Sequence, residues 1–188
     1  MTVADRKDLA RNEAFARRSK AHLNQREAAS RALALHLDNL AGHVVSGYLP
    51  IRTEADPLPA MERLVRRNRL AVPVVVARGQ PLLFREWSPN TPLEEGAFGV
   101  MVPVSGDVLV PDVLIVPLVA FDDQHHRLGY GGGFYDRTLE RLRSRGGVRA
   151  IGFAYEAQRL EGLPVEQTDQ LLDEIVTEAG VVPLGPRC

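Results

Sequence analysis

The sequence predicts an α/β protein: a single three-layer domain with an open, mostly parallel sheet flanked by helices. Short apolar segments rich in Val, Ile and Leu recur along the chain, and 113–121 is typical of a strand buried on both faces. Segments of helical composition separate several of them, and the order strand, helix, strand favours parallel pairing. A chain of 188 residues fits one domain, so we expect one unit over 1–188.

Composition argues against several classes of protein. A net charge of −1 disfavours a general nucleic-acid binder. No apolar run approaches the roughly 20 residues of a membrane span, and the N-terminus lacks the apolar region of a signal peptide. Cys188 is the only cysteine, which excludes an internal disulfide and a thiolate zinc site. We therefore expect a cytoplasmic protein with no nucleic-acid or membrane partner.

The N-terminal segment, residues 4–40, has a helical composition rich in Ala, Leu, Arg and Glu. We expect two helices, broken near 22–24, that pack on the α/β core. Lys7, Arg11 and Arg18 lie on nearly one helical face. Like charges four residues apart destabilise an isolated helix slightly, and an anionic ligand would offset that cost. A solvated basic surface is the alternative.

The next segments alternate between strand and helix. Strands are expected over 44–49, 71–77 and 82–87, with a helix up to residue 70 between the first two. Glu54 follows the first strand, at the edge where open α/β sheets bind ligands. On its own it is equally a surface acid. A long loop rich in proline then follows Trp87, and its length indicates either function or mobility.

A glycine-rich turn lies at the centre of the chain, between the strand at 113–121 and a helix expected over 134–145. Four glycines in the five positions 129–133 leave the backbone uncovered and free to adopt positive φ. Successive N–H groups at a helix start bind anions, so phosphate is the expected ligand. An ordinary turn is the alternative.

Magnitudes limit what this turn can bind alone. One helix terminus contributes about 0.3–1 kcal/mol, whereas micromolar binding needs about 8 kcal/mol. A nucleotide would therefore also need cations and a metal ion, for which Arg127 and Asp136 are nearest in sequence. The chain has no GxxxxGK[ST] motif, and its glycines begin well after the strand, which disfavours a standard P-loop or dinucleotide fold.

The C-terminal part predicts a strand over 148–155, a short helical turn over 156–160 and a last strand over 172–177. Asp169 and Asp173 lie close to that last strand. Taken alone, both are ordinary loop acids.

Two longer strings are more specific than the glycines. FDxxxxRLGYGGGFYDRxL, beginning at Phe121, and LPxxxxDxxLDxIxTE, over 163–178, closely resemble segments of the 5-formyltetrahydrofolate cyclo-ligase family, also called methenyltetrahydrofolate synthetase. The resemblance extends over nearly the whole chain in order and spacing. It departs at Leu118 and near His125, where the family usually has glycine.

The resemblance implies cyclisation of 5-formyltetrahydrofolate to 5,10-methenyltetrahydrofolate, with ATP and Mg²⁺ required and ADP and phosphate released. It assigns magnesium to Asp136 and Asp169. Lys7, Arg127 and Tyr135 would take part in catalysis. It assigns ATP to the basic residues and the glycine turn: Lys7, Arg11, Arg127, Leu128, Gly129, Tyr130, Gly131, Gly132, Gly133, Phe134 and Tyr135.

The resemblance also nominates residues for the folate. The pattern Tyr-x-Pro-x-x-x-Glu-x-Asp resembles the family's folate-contacting segment and points to Leu49 and Glu54, whose carboxylate would accept hydrogen bonds from the pterin. Trp87 and Phe98 would stack on its rings, unless they only fill their own loop. The expected partner is 5-formyltetrahydrofolate, with or without a polyglutamate tail. We expect the protein to be a monomer.

Two other functions remain open at this point. A sugar-phosphate isomerase on a related scaffold would need a base beside the glycine turn and would be indifferent to ATP. A non-catalytic relative would bind nucleotide or RNA without turnover. The joint presence of Lys7, Arg127, Asp136 and Asp169 argues against the second.

Overall fold

The computed structural model describes residues 1–185. The α-helices are α1 (Val3–His36), α2 (Leu58–Leu64) and α3 (Phe134–Arg143). The strands are β1 (Val44–Ser46), β2 (Arg69–Val74), β3 (Leu83–Glu86), β4 (Leu93–Glu95), β5 (Met101–Pro103), β6 (Val108–Leu109), β7 (Val113–Pro117), β8 (Ala120–Phe121), β9 (Arg127–Leu128), β10 (Arg149–Phe153), β11 (Glu174–Thr177) and β12 (Gly180–Val181). Over this part of the chain, no helix combines the length and apolar character that crossing a membrane requires.

The prediction of two N-terminal helices is wrong, because α1 is one helix of 34 residues. A capping box begins it: the Thr2 hydroxyl accepts from the Asp5 amide, and the Asp5 carboxylate accepts from the Thr2 amide. No glycine or proline interrupts the helix, and the two weaker helix formers at the expected break, His22 and Asn24, each cost only a few tenths of a kcal/mol. Packing offsets that cost, since His22 Nδ1 lies 3.0 Å from the Tyr155 hydroxyl.

The large sheet has the strand order β12-β11-β10-β7-β1-β2-β3-β6. The five strands from β11 to β2 pair in parallel, whereas both edges are antiparallel. The predicted mostly parallel sheet is therefore confirmed. The strand expected at 82–87 forms as β3 but runs antiparallel to β2, because only residues 75–82 connect the two, too few for a parallel crossover.

The strand expected over 113–121 is divided into β7 and β8. β8 pairs with β9 in a separate hairpin. At the break, the side-chain amide of Gln158 donates to the carbonyl groups of Leu118 and Val119, at 2.9 and 3.0 Å. These bonds replace the pairing that a continuous strand would make, so the hairpin leaves the sheet and carries the glycine turn with it.

Helices cover both faces of the sheet, which confirms the three-layer architecture. On one face, Leu33 of α1 and Met61 of α2 belong to the same buried cluster as Ile115 of β7. On the other face, Leu139 of α3 belongs to a cluster with Leu114 of β7. Successive residues of β7 therefore face opposite layers, as expected for a central strand.

A smaller cluster fixes the N-terminal half of α1. Ala14 is buried with Ala120 and Leu128 of the hairpin and with Leu163. Because the hairpin follows the carboxyl end of β7, this part of α1 lies beside the ligand-binding edge of the sheet.

Candidate active site

Residues 129–133, here called the glycine loop, connect β9 to α3 and place bare amides at the helix start. Gly131 and Gly133 have φ angles of 94° and 64°, in the left-handed region that favours glycine. Gly133 is the N-cap of α3, and as a glycine it brings no side chain to cap the helix. The first amides of α3 are therefore open to an anion, which the helix dipole also favours.

The basic face of α1 lies against this loop. Arg11 Nε donates to the Gly129 carbonyl at 2.9 Å, and the Arg11 guanidinium is 3.4 Å from the place where a Cβ on Gly131 would be. Lys7 and Arg18, on the same face, are only 8% and 1% exposed. The alternative of a solvated basic surface is therefore wrong for these cations.

Lys7 lies between two carboxylates of the segment before β11. Its Nζ is 2.7 Å from Asp169 Oδ2 and 2.7 Å from Glu166 Oε2. Burial lowers the pKa of the Lys7 ammonium, but the bonds and charges of the two carboxylates outweigh burial and raise that pKa above its usual value. Lys7 is therefore a cation at neutral pH. Lys7, which is predicted to bind phosphate, therefore pairs directly with Asp169, which is predicted to bind magnesium.

Arg127 and Asp136 form the other half of this charged cluster. Arg127 Nη2 donates to Asp136 Oδ1 at 2.8 Å, and its Nη1 donates to the Gln170 carbonyl at 2.5 Å. The Gln170 amide donates to the same Asp136 oxygen at 3.0 Å. Since Gln170 directly follows Asp169, these bonds hold the segment that carries Asp169 against Asp136.

The donor set fits a magnesium ion shared with phosphate. Within residues 1–185, no group of three or more His, Cys, Asp or Glu side chains could hold a metal by itself. Mg²⁺ prefers oxygen ligands and uses one or two carboxylates when phosphate and water complete its octahedron. Arg127 and Gln170 both bind Oδ1 of Asp136, which leaves the other oxygen of that carboxylate available.

Tyr135 contributes an unpaired donor. Its hydroxyl is buried and has no hydrogen-bond partner within the described residues. Burial first, and then the charge of Glu54, raises the pKa of Tyr135 far above its usual value, so the hydroxyl stays protonated. Leaving a buried donor unpaired costs about 1–3 kcal/mol. A bound molecule that accepts this hydrogen bond would recover that free energy.

Glu54 is buried, with one hydrogen bond to each carboxylate oxygen. Oε1 accepts from the Tyr130 hydroxyl and Oε2 from the Ile51 amide, both at 2.9 Å. Burial raises the pKa of Glu54 above its usual value. The Ile51 amide, the Tyr130 hydroxyl and the Arg18 charge lower that pKa, but they do not outweigh burial. Each oxygen retains acceptor capacity, so the carboxylate can accept from two ligand N–H groups.

A cleft of about 380 Å³ opens between the segment after β1 and the tip of the β4–β5 hairpin. Leu49 and Phe98, both nominated for the folate, line it. Phe98 is 62% exposed, and its ring centroid is 6.1 Å from that of Phe134 at the start of α3. The cleft therefore adjoins the glycine loop.

Trp87 lies apart from the residues that line this cleft. It is 6% exposed and belongs to the core cluster beneath α1 and α2. Its amide donates to the Leu70 carbonyl at 2.8 Å, which extends the pairing of β3 with β2.

A second, larger cleft of about 770 Å³ lies between α1 and the segment after β10. Its lining includes Arg6, Glu13, Arg159 and Leu163. None of the residues predicted for ATP, magnesium or folate lines it.

Sequence reasoning missed the partners that hold the predicted residues in place. Glu166, which binds Lys7, had a weak signal: it precedes Asp169 by three residues, and its amide donates to that carboxylate at 2.8 Å. The contact of Tyr130 with Glu54 had no signal, because 76 residues separate the two.

Fold and site together define a class: an α/β protein with an anion-binding glycine loop, joined by cations and carboxylates, at the carboxyl edge of a mostly parallel sheet. The model of the 5-formyltetrahydrofolate cyclo-ligase family matches residues 3–178. The chain belongs to this family.

Individual relatives agree with this membership. The 5-formyltetrahydrofolate cyclo-ligase of Haemophilus influenzae is 41% identical over 100 residues, which span 50% of this chain and 53% of that protein. The Escherichia coli K12 protein of the same name is 39% identical over 147 residues, covering 74% of this chain and 80% of its own. The NMR structure of Aquifex aeolicus 5,10-methenyltetrahydrofolate synthetase matches with a TM-score of 0.77 and 31% identity, over 97% of this chain and 95% of that one.

Proposed function

We propose that this chain catalyses the ATP-dependent cyclisation of 5-formyltetrahydrofolate to 5,10-methenyltetrahydrofolate, with release of ADP and phosphate. Family membership supports the reaction. The observation that carries the residue assignment is the convergence of Lys7, Arg127, Asp136 and Asp169 beside the glycine loop. Among the described residues, no comparable convergence supports a sugar-phosphate enzyme.

The reaction explains why the site needs charge and not a nucleophilic side chain. The formyl group is an amide, so its carbon is a poor electrophile and its oxygen a poor leaving group. Transfer of the γ-phosphoryl group to that oxygen breaks the bond to ADP. N10 of the folate then attacks the formyl carbon and loses its proton to phosphate or water, and the oxygen leaves as part of phosphate. Positioning and charge neutralisation therefore dominate catalysis.

The nucleotide would bind through the glycine-loop amides and the start of α3, with Lys7, Arg11 and Arg127 supplying positive charge. Asp136 and Asp169 would hold Mg²⁺, which, when bound, shields the phosphate oxygens from one another. The carboxylate of Asp169 would then be neutralised by the ion, and Lys7 would be free to turn from Asp169 to the phosphates.

The folate would bind from the other side of the loop. Glu54 accepts from the amino and ring N–H groups of the pterin, and Leu49 and Phe98 contact its rings. Tyr135 donates its unpaired hydrogen bond near the reacting centre, and its raised pKa makes it a donor and not a base. The burial of Trp87 makes it a poor stacking partner, so it would support this pocket from the core.

The test is incubation of the purified protein with Mg-ATP and 5-formyltetrahydrofolate while the absorbance of the methenyl product is followed. We expect the product to appear only when both substrates are present. Binding of ATP without product would favour a non-catalytic relative, and indifference to ATP would favour a sugar-phosphate enzyme. Absence of the product with well-folded protein contradicts the proposal.

A further inference from the structure

Arg18 is a buried cation that the proposed reaction does not use. Its Nη1 donates to the Tyr130 hydroxyl at 2.8 Å and its Nε to Thr53 Oγ1 at 3.1 Å. The guanidinium carbon lies 5.1 Å from the ring centroid of Phe15 and 5.6 Å from that of Tyr130. Two hydrogen bonds and two aromatic rings therefore fix the orientation of this side chain.

Tyr130 connects this cation to the substrate side of the site. It belongs to the glycine loop, but its hydroxyl reaches Glu54 of the segment after β1. Because arginine cannot accept a hydrogen bond, the bond with Arg18 directs the hydroxyl proton of Tyr130 toward Glu54. Burial raises the pKa of Tyr130 to about 12, so the hydroxyl carries this proton at neutral pH. Two hydrogen bonds of fixed direction, from Arg18 to Tyr130 and from Tyr130 to Glu54, thus link α1, the glycine loop and the segment after β1.

Charges around Glu54 decide its protonation. Tyrosines face this carboxylate, but their pKa values are raised and they are uncharged at neutral pH. Two cations, Arg18 and Arg52, favour its ionised form. Arg18 is buried whereas Arg52 is exposed, so solvent screens the charge of Arg18 less. The groups that face Glu54 are Arg18 of α1, Tyr130 of the glycine loop, Tyr135 of α3, and Tyr48 and Arg52 of its own segment.

We propose that Arg18 is a positioning residue for substrate binding: through the Tyr130 hydroxyl it orients the Glu54 carboxylate and keeps it ionised, ready to accept two N–H groups of the pterin. This inference rests on the proposed function. Because Tyr130 belongs to the glycine loop, its bond to Glu54 joins the proposed nucleotide side of the site to the folate side.

The test is calorimetric titration of 5-formyltetrahydrofolate, without ATP, into the full chain between pH 6 and 8, in buffers of different ionisation enthalpy so that protons released on binding are counted. For Arg18→Met we expect about a 10-fold loss of affinity at pH 7. In this variant, proton release should accompany folate binding, because Glu54 must first ionise. The loss of affinity relative to the wild type should shrink as the pH rises.

Three further variants make the result specific. Tyr130→Phe keeps Arg18 and the ring, and should lose about 3- to 10-fold in affinity, with the same proton release. Arg18→Lys keeps the positive charge, so its folate affinity should depend on pH nearly as that of the wild type does. Arg31→Met makes the same change on an exposed part of α1, and should behave as the wild type.

Several results would overturn the inference. A folded Arg18→Met variant with wild-type affinity excludes it, as does an equal loss at every pH without proton release, which indicates a purely structural role. Should Arg18→Met fail to fold, unchanged binding by Tyr130→Phe overturns the inference, and the expected loss with proton release supports it. Failure of the wild type to bind the folate instead overturns the proposed function, together with the inference built on it.

Discussion

At the scale of single residues, Lys7 holds the central charge of the site. Its ammonium is shared between Asp169 and Glu166, so the cation is paired without a ligand. In the proposed complex, Mg²⁺ would neutralise Asp169, and the same ammonium would then pair with phosphate. This exchange of partners would keep a buried cation paired in both states, which matters because an unpaired buried charge is strongly destabilising.

Lys7→Met should therefore weaken the use of ATP far more than it weakens the fold. Loss of a hydrogen bond to a charged group costs about 1.5–3 kcal/mol, so the KM for ATP should rise about 10- to 100-fold. Steady-state kinetics and thermal unfolding measure the two effects. Lys20→Met is the matched control, since Lys20 is the only other lysine and is exposed on the same helix. An unchanged KM for ATP would remove Lys7 from the nucleotide site.

At the scale of elements, an ion cluster ties α1 to the amino ends of β10 and β11. Arg149 makes two bonds to Glu174, from Nε at 2.5 Å and from Nη2 at 2.9 Å. His36 Nε2 lies 2.7 Å from Glu174 Oε2. The Arg149 guanidinium, and then His36, hold the pKa of Glu174 below its usual value, although burial opposes them. This cluster lies at the edge opposite the site.

The lowered pKa of Glu174 predicts a stability effect that depends on pH. Its stabilisation is present above the unfolded pKa, about 4.5, and is lost as the pH falls through the lower folded value. Glu174→Gln should lower the free energy of unfolding by about 0.5–1 kcal/mol at pH 7, since the pair is partly exposed. Denaturant unfolding should show that this deficit disappears toward acidic pH, and that exposed Glu62→Gln has no deficit. An equal deficit at both pH values would show that the Gln side chain, and not the lost charge, is responsible.

The elements that local patterns determine could be predicted from the sequence. The apolar run of β7 and the stripe of α3 are examples. The break between β7 and β8 could not be predicted, because it depends on the side chain of Gln158, about 40 residues away. The continuity of α1 could not either, since the contact between His22 and Tyr155 joins positions 133 residues apart.

At the scale of the whole molecule, the candidate site joins segments from both ends of the chain. The resemblance could nominate Lys7 and Asp169 separately. Their direct pairing across 162 residues is a property of the fold, because α1 packs beside the hairpin and the segment before β11. Trp87 shows the opposite case: a sequence pattern nominated it for the substrate, and the fold buries it in the core.

At this scale, we expect Mg-ATP to bind where α1, the glycine loop and the two carboxylates meet. The most direct measurement is the change in backbone amide NMR shifts when Mg²⁺ and a non-hydrolysable ATP analogue are titrated into the full chain. The largest changes should fall on 129–136 and around Lys7 and Asp169, and should weaken without Mg²⁺. Changes concentrated instead around Arg6, Glu13 and Arg159, in the cleft of about 770 Å³, would contradict the account.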